Sequence, residues 1–181
     1  KILLKLGQTL RPWLPNTLKQ KIPPPRHSKH WPTRQLQRKM LLLDGCVQPS
    51  VAANINAAAA RILDSLGVTL TRTKNSGCCG AISHHLSAHH EAQDFMRRNI
   101  DAWWPYIESG EVEAIVTTAS GCGLMVREYG HALRNDPSYA EKAARVSMLT
   151  KDISEILFHM DLSSFESHRE EKKVAFHSPC C

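Results

Sequence analysis

Six cysteines dominate the chemistry open to this chain: Cys46, Cys78, Cys79, Cys122, Cys180 and Cys181. Four of them stand in glycine-lined turns, Gly45-Cys46, Gly77-Cys78-Cys79-Gly80 and Gly121-Cys122-Gly123. Glycine lets the backbone approach closely and leaves amide N–H groups free to point at an anionic sulfur or cluster. Hydrogen bonds of that kind also tune a reduction potential. The opening KILLKLGQTLRPWL has no signal-peptide pattern, and outside a secretory setting clustered cysteines read as metal ligands or redox thiols before disulfides. Buried structural cysteines beside tight turns are the bland alternative. Two adjacent cysteines between two glycines speak against it.

The elements that must position these thiols follow an alternating pattern. KMLLLDG (39–45) is an apolar strand run that ends in Gly. Ser50 is the expected cap of a helix whose face is Val51, Ile55, Ile62 and Leu66, and Gly67 stops it. Val68–Arg72 is a second strand, NSGCCG (75–80) a turn, and 82–109 mostly helical. There Met96, Ile100, Trp103 and Ile107 keep helical spacing, with a kink expected at Pro105. Glu113–Thr118 is a third strand, SGCG (120–123) a turn, and helices are expected near 124–134, 138–148 and 151–160. VAF (174–176) is a fourth strand. Strands alternating with helices predict an α/β fold, a parallel sheet with helices on its faces, Rossmann-like. Each cysteine turn then follows a strand, and the C-terminal strand ends of a parallel sheet share one edge, where such folds bind ligands.

The charge is uneven. Net charge is +6, yet residues 1–39 carry ten Lys and Arg and no Asp or Glu. The prolines at 12, 15, 23, 24, 25 and 32 break this segment up, so residues 1–38 read as a basic Pro-rich connector that opens with a short helix on Leu3, Leu6, Leu10 and Leu14. Only Trp13 and Trp31 interleave with the charges, too few for a base-stacking surface, and no nucleic-acid partner is expected. Residues 39–172 form the cysteine-rich domain. Lys39 to Cys46 and Lys173 to Cys180 echo each other, each a Lys, a short apolar strand, two turn residues and a Cys, so a second copy of the unit is expected to begin at 173–181. With Lys1 at one end and Cys180-Cys181 just after a new strand, the chain is expected to be a fragment of a longer one. No apolar run reaches the ~18 residues that a bilayer span needs.

The order Cys46, then Cys78-Cys79-Gly80 after 31 residues, then Cys122 with 42 residues between it and Cys79, resembles the cysteine-rich CCG domain family. That family includes the heterodisulfide reductase B subunit and the iron–sulfur subunits of glycolate and lactate oxidation. LLLDGCVQPS, NSGCCGAISHHL and TTASGCGLMVREYG look most like the glycolate oxidase iron–sulfur subunits. The resemblance implies a 4Fe-4S type iron–sulfur cluster, or in some domains zinc, on Cys46, Cys78, Cys79 and Cys122, with Cys180 as the first ligand of a second set. It implies an electron-transfer subunit of a glycolate oxidase (dehydrogenase) complex, with substrate oxidised on flavin-containing partner subunits and electrons passed to a membrane quinone pool or another acceptor. A cytoplasmic place follows, with peripheral contact at the inner face of the membrane as a further expectation. Two departures stand out. Met125 replaces the second cysteine of the family's Cys-x-x-Cys, and Cys181 sits where the resemblance leads to a non-cysteine residue.

His85 and His89 at i, i+4 have zinc-ligand spacing, but a surface or supporting role is the plainer reading. Trp103-Trp104 reads as core or contact, and Ala57–Ala60 as helix packing. No phosphate loop, nucleophile elbow or acid–base pair is present to place substrate oxidation on this chain. Two other readings stay open at this point: a zinc-stabilised docking domain, and a redox protein that cycles the vicinal Cys78-Cys79 pair.

Overall fold

The computed structural model describes residues 2–24, 30–165 and 175. Its centre is a four-stranded, all-parallel sheet in the order β2-β1-β3-β4, with β1 Arg38–Leu42, β2 Val68–Arg72, β3 Ile115–Thr117 and β4 Thr150–Asp152. The expected α/β class is therefore what the chain adopts.

The sheet is buried on both faces because its central strands alternate apolar residues to two cores. Leu41 and Leu43 face a core built from Met96, Ile100, Trp103, Val126 and Tyr129. Met40 and Leu42 face another with Ala59, Ala60, Leu63, Val68 and Ile156. A run buried on both sides is the pattern of a parallel strand covered by helices. On the first face lie α6 His89–Glu108, α7 Ser120–Arg127, α8 Tyr129–Ala132 and α9 Ala140–Leu149; on the second lie α4 Ala53–Ser65 and α10 Ile153–Phe158. Each fully buried Leu or Ile there contributes about 1.5–3 kcal/mol relative to exposure.

The remaining helices are α1 Ile2–Leu10, α2 Asn16–Lys19, α3 Gln48–Val51 and α5 Ala81–His85. In the basic segment, Trp31 packs on the second core and stacks under Arg72 at 5.1 Å, while Arg34 pairs with Asp64. Trp13 is exposed.

Five expectations need correction. SGCG (120–123), expected as a turn, is the first turn of α7, which starts at Ser120. Ser50 lies inside α3 and caps nothing; Ala52 precedes α4 and makes no side-chain cap. The buried face of α4 is Asn56, Ala57, Ala59, Ala60 and Leu63, while Ile55 is exposed. Small alanines let the helix approach the sheet closely, with Leu63 buried beside them and Ile55 turned outward. The helix expected over 151–160 begins only at Ile153, because Thr150–Asp152 pairs with β3. Buried Thr150 donates its hydroxyl to the Val146 carbonyl at 2.8 Å, and Asp152 then caps α10 by accepting from the Ser154 N–H at 2.9 Å. Finally, His85 and His89 are not on one helix: α5 ends at His85, Ser87 has φ 61°, and α6 starts at His89. The strand expected at 174–176 lies outside the described residues, apart from the single residue 175. Among the described residues no helix is long and apolar enough to cross a membrane.

Candidate metal centre

Each cysteine turn follows a strand, and parallel strands bring the turns to one edge. Cys46 comes after β1, Cys78 and Cys79 after β2, and Cys122 in the first turn of α7 after β3. The strand order reverses between β1 and β3, and the crevice at such a reversal is where open α/β sheets take ligands. Cys46 and Cys122 arise from the two strands that flank it. All four thiols are free; Cys79 is buried and the others half-buried.

The thiols sense one another. Cys122 is favoured as a thiolate because the Cys79 S–H donates to it, and Cys79 is correspondingly held well above the ordinary thiol range, burial adding to the effect. Burial, then the hydrogen bond with Cys78, raises Cys46. Cys122 also feels the charges of Cys46 and Cys78, which oppose its ionisation. The thiols thus form two pairs, 46/78 and 79/122, within electrostatic reach of each other. Four thiolates gathered here repel until a cation joins them.

That donor set suits soft metals: zinc, copper(I) or iron–sulfur. Among the described residues no group of three or more His, Cys, Asp or Glu is drawn in to the spacing of a single ion. An iron–sulfur group is held by cysteine thiolates and tuned by hydrogen bonds to their sulfurs. Amides are aimed at the sulfurs as such a group requires. The Gly80 N–H reaches Cys78 Sγ at 3.5 Å, and the Ala81 N–H donates to the Cys79 sulfur. Gly80 has φ 87°, and a Cβ there would stand 2.9 Å from the Ala92 carbonyl oxygen, so the turn admits only glycine without a shift of α6. At Gly123 a Cβ would fall 2.6 Å from Thr117 Oγ1, so glycine lets α7 sit directly on β3.

Two fully buried side chains clamp the turn from inside. Asn99 Oδ1 accepts from the Gly77 N–H at 2.8 Å, and its Nδ2 donates to the Cys78 carbonyl at 2.8 Å and to the Tyr129 hydroxyl at 3.0 Å. Tyr129 in turn donates to the Cys79 carbonyl at 2.9 Å. Burial keeps the Tyr129 hydroxyl protonated. An open groove of about 1020 Å³ adjoins the site, lined by Cys46, Cys78, Phe95 and Arg98 among others.

The structure therefore brings together Cys46, Cys78, Cys79 and Cys122, while Cys180 and Cys181 lie outside the described residues. Met125 is buried in the first core, which accounts for a residue that is not cysteine there. His84 and His85 line a hollow of about 140 Å³ with Met125 and His131, beside the cysteines but not among them.

With this geometry in place, comparison with known proteins is informative. The cysteine-rich domain family designated CCG matches residues 40–127, which span Cys46, Cys78, Cys79 and Cys122. Over that stretch the chain is similar to the CCG family. It is 46% identical over 179 residues, 98% of this chain and 44% of the relative, to the glycolate oxidase iron-sulfur subunit of Escherichia coli (strain K12). A probable glycolate oxidase iron-sulfur subunit of Bacillus subtilis is 26% identical over 165 residues, 88% of this chain and 36% of the relative. Lactate utilization protein A of Bacillus licheniformis is 26% identical over 142 residues, 78% of this chain and 57% of the relative. The chain thus spans less than half the length of the first two. No solved structure matches.

Asn99 and Tyr129 are the residues of the site that sequence reasoning missed. The signal for Asn99 was present: it lies on the same helical stripe as Met96, Ile100 and Trp103, and a polar residue on a buried stripe needs hydrogen-bond partners. Tyr129 had no comparable mark.

Proposed function

We propose that Cys46, Cys78, Cys79 and Cys122 hold an iron–sulfur cluster of the 4Fe-4S type, and that the chain belongs to the electron-transfer subunit of a glycolate-oxidising complex. The observation that carries this reading is the convergence of four free thiols from three strand ends on one rim, with amides aimed at two of the sulfurs. Similarity over nearly the whole chain to a glycolate oxidase iron-sulfur subunit supports it. The bound group supplies one-electron chemistry. The chain's own residues hold it by thiolate, shield its charge with N–H donors, and keep the CCG turn fixed from the buried side through Asn99 and Tyr129.

Substrate oxidation then belongs to flavin-containing partner subunits, and a quinone or another acceptor takes the electrons, with the complex peripheral at the membrane. Residues 1–38 serve as the connector and 39–172 as the CCG domain. A second such domain begins at 173–181, with Cys180 as its first ligand.

The test is anaerobic purification, assay of iron, zinc and acid-labile sulfide, and then addition of glycolate in the presence of the flavin-bearing partner. Near-equal iron and sulfide, with visible absorption that bleaches on glycolate, is the expected result. Zinc without sulfide would replace the reading with a structural zinc domain. Protein free of metal, with a reducible Cys78-Cys79 disulfide, would replace it with thiol redox chemistry.

A further inference from the structure

One peptide unit of the CCG turn is gripped at both ends. The carbonyl of Cys79 accepts the Tyr129 hydroxyl proton at 2.9 Å, and the N–H of the same unit, that of Gly80, points to Cys78 Sγ at 3.5 Å. A peptide unit is planar and trans, so its C=O and N–H point in opposite directions. Whatever fixes the carbonyl therefore aims the amide. The Tyr129 side chain is rigidly placed: it has no solvent exposure, and its hydroxyl is located by Asn99 Nδ2 at 3.0 Å. Asn99 also grips the preceding unit through the Cys78 carbonyl, and the Gly77 N–H beyond it.

We propose, resting on the cluster reading above, that Tyr129 is a positioning residue which aims the Gly80 amide at the Cys78 sulfur and thereby raises the reduction potential of the centre. An N–H donated to a ligating sulfur disperses negative charge, and it stabilises the reduced state more because that state carries one more electron. Without the hydroxyl, the Cys79 carbonyl loses its buried partner and the unit is free to turn toward other donors. The amide–sulfur bond weakens, and reduction becomes less favourable. The Tyr129 hydroxyl bonds the Cys79 carbonyl and Asn99 rather than a sulfur, and so acts through the peptide.

The experiment is a redox titration of the anaerobically purified protein, followed by visible absorption and electron paramagnetic resonance. Wild type is compared with Tyr129→Phe and with Leu63→Val, which trims a fully buried side chain in the core on the opposite face. The expected result for Tyr129→Phe, with wild-type iron and sulfide, is reduction about threefold less favourable, a fall of about 28 mV at 59 mV per tenfold change for one electron. Leu63→Val leaves the potential where it was. A fully loaded Tyr129→Phe whose potential equals that of wild type overturns the proposal while leaving the cluster reading intact. A wild type without iron and sulfide overturns both. Should Tyr129→Phe not yield folded protein, Asn99→Ser carries the test. It removes the bond that locates the hydroxyl together with those to Gly77 and Cys78, so a fall in the same direction is expected and no fall overturns the proposal.

Discussion

Two cysteine turns on neighbouring strands are fastened in opposite ways. The CCG turn, residues 75–80, hangs on Asn99 and Tyr129, neutral side chains with no solvent exposure. The Cys46 turn, residues 44–47, hangs on Asp44, which pairs with the half-exposed guanidinium of Arg72 and accepts from Asn56 Nδ2 at 3.1 Å. Asn56 in turn accepts from the Thr118 hydroxyl at 2.6 Å, and Thr118 accepts from Gln48 at 2.7 Å, so this chain of contacts runs to the β3 side of the crevice. The backbone differs in the same sense. A Cβ on Gly45 would meet nothing within 4 Å, whereas one on Gly80 would strike α6. A buried neutral network loses the full desolvation cost when one partner goes, while an exposed ion pair loses little. The CCG turn is thus held wholly from the buried side, and the Cys46 turn partly through a half-exposed ion pair.

That contrast can be broken at its strongest point first. Asn99→Ala leaves the Gly77 N–H and the Cys78 carbonyl without their partner in the core, and it should cost about 3 kcal/mol in chemical denaturation, several times what Asp44→Asn costs. Equal costs would remove the distinction between the two turns. Next come the glycines. Gly80→Ala combines a positive φ with a backbone collision and should cost about 2–3 kcal/mol, against about 1 kcal/mol for Gly45→Ala, which is strained but unobstructed. Both are read from the same unfolding curves. Asp44→Asn should cost about 1 kcal/mol or less, and adding about 1 M salt should erase most of the difference from wild type, since the Arg72 partner is screened.

The smallest effect lies at the other end of the sheet. The Arg38 guanidinium, hydrogen-bonded to Glu113, holds that carboxyl below the usual carboxylate range. A carboxylate whose folded pKa is depressed stabilises the protein above its ordinary pKa of about 4.3 and loses that contribution as pH falls through the folded value. Glu113→Gln should therefore be slightly less stable than wild type at neutral pH, and the gap should close as pH falls towards about 3. A gap that widened on acidification would contradict the assignment.

The turns carry the clearest local signal in this sequence. Glycine beside cysteine, after an apolar run, places a thiol at a strand end by local rules alone, and parallel pairing does the rest. That is why Cys46, Cys78, Cys79 and Cys122 were legible together, and why β2 matched residue for residue. What escaped was set by long-range packing. Thr150–Asp152 is three residues of mixed polarity, a strand only because β3 offers it an edge. The buried face of α4 turned on alanines, whose value is closeness to the sheet rather than hydrophobic mass. Tyr129 and Cys79 are 50 residues apart, and nothing local announces that they meet.

The central claim is that the four thiols act as one ligand set. The most direct measurement is iron and acid-labile sulfide per chain in four anaerobically purified variants, Cys46→Ala, Cys78→Ala, Cys79→Ala and Cys122→Ala, beside wild type. The account predicts near-equal iron and sulfide in wild type and loss of both together in each variant. Full loading in any one of the four, or a wild type that binds zinc without sulfide, would contradict it.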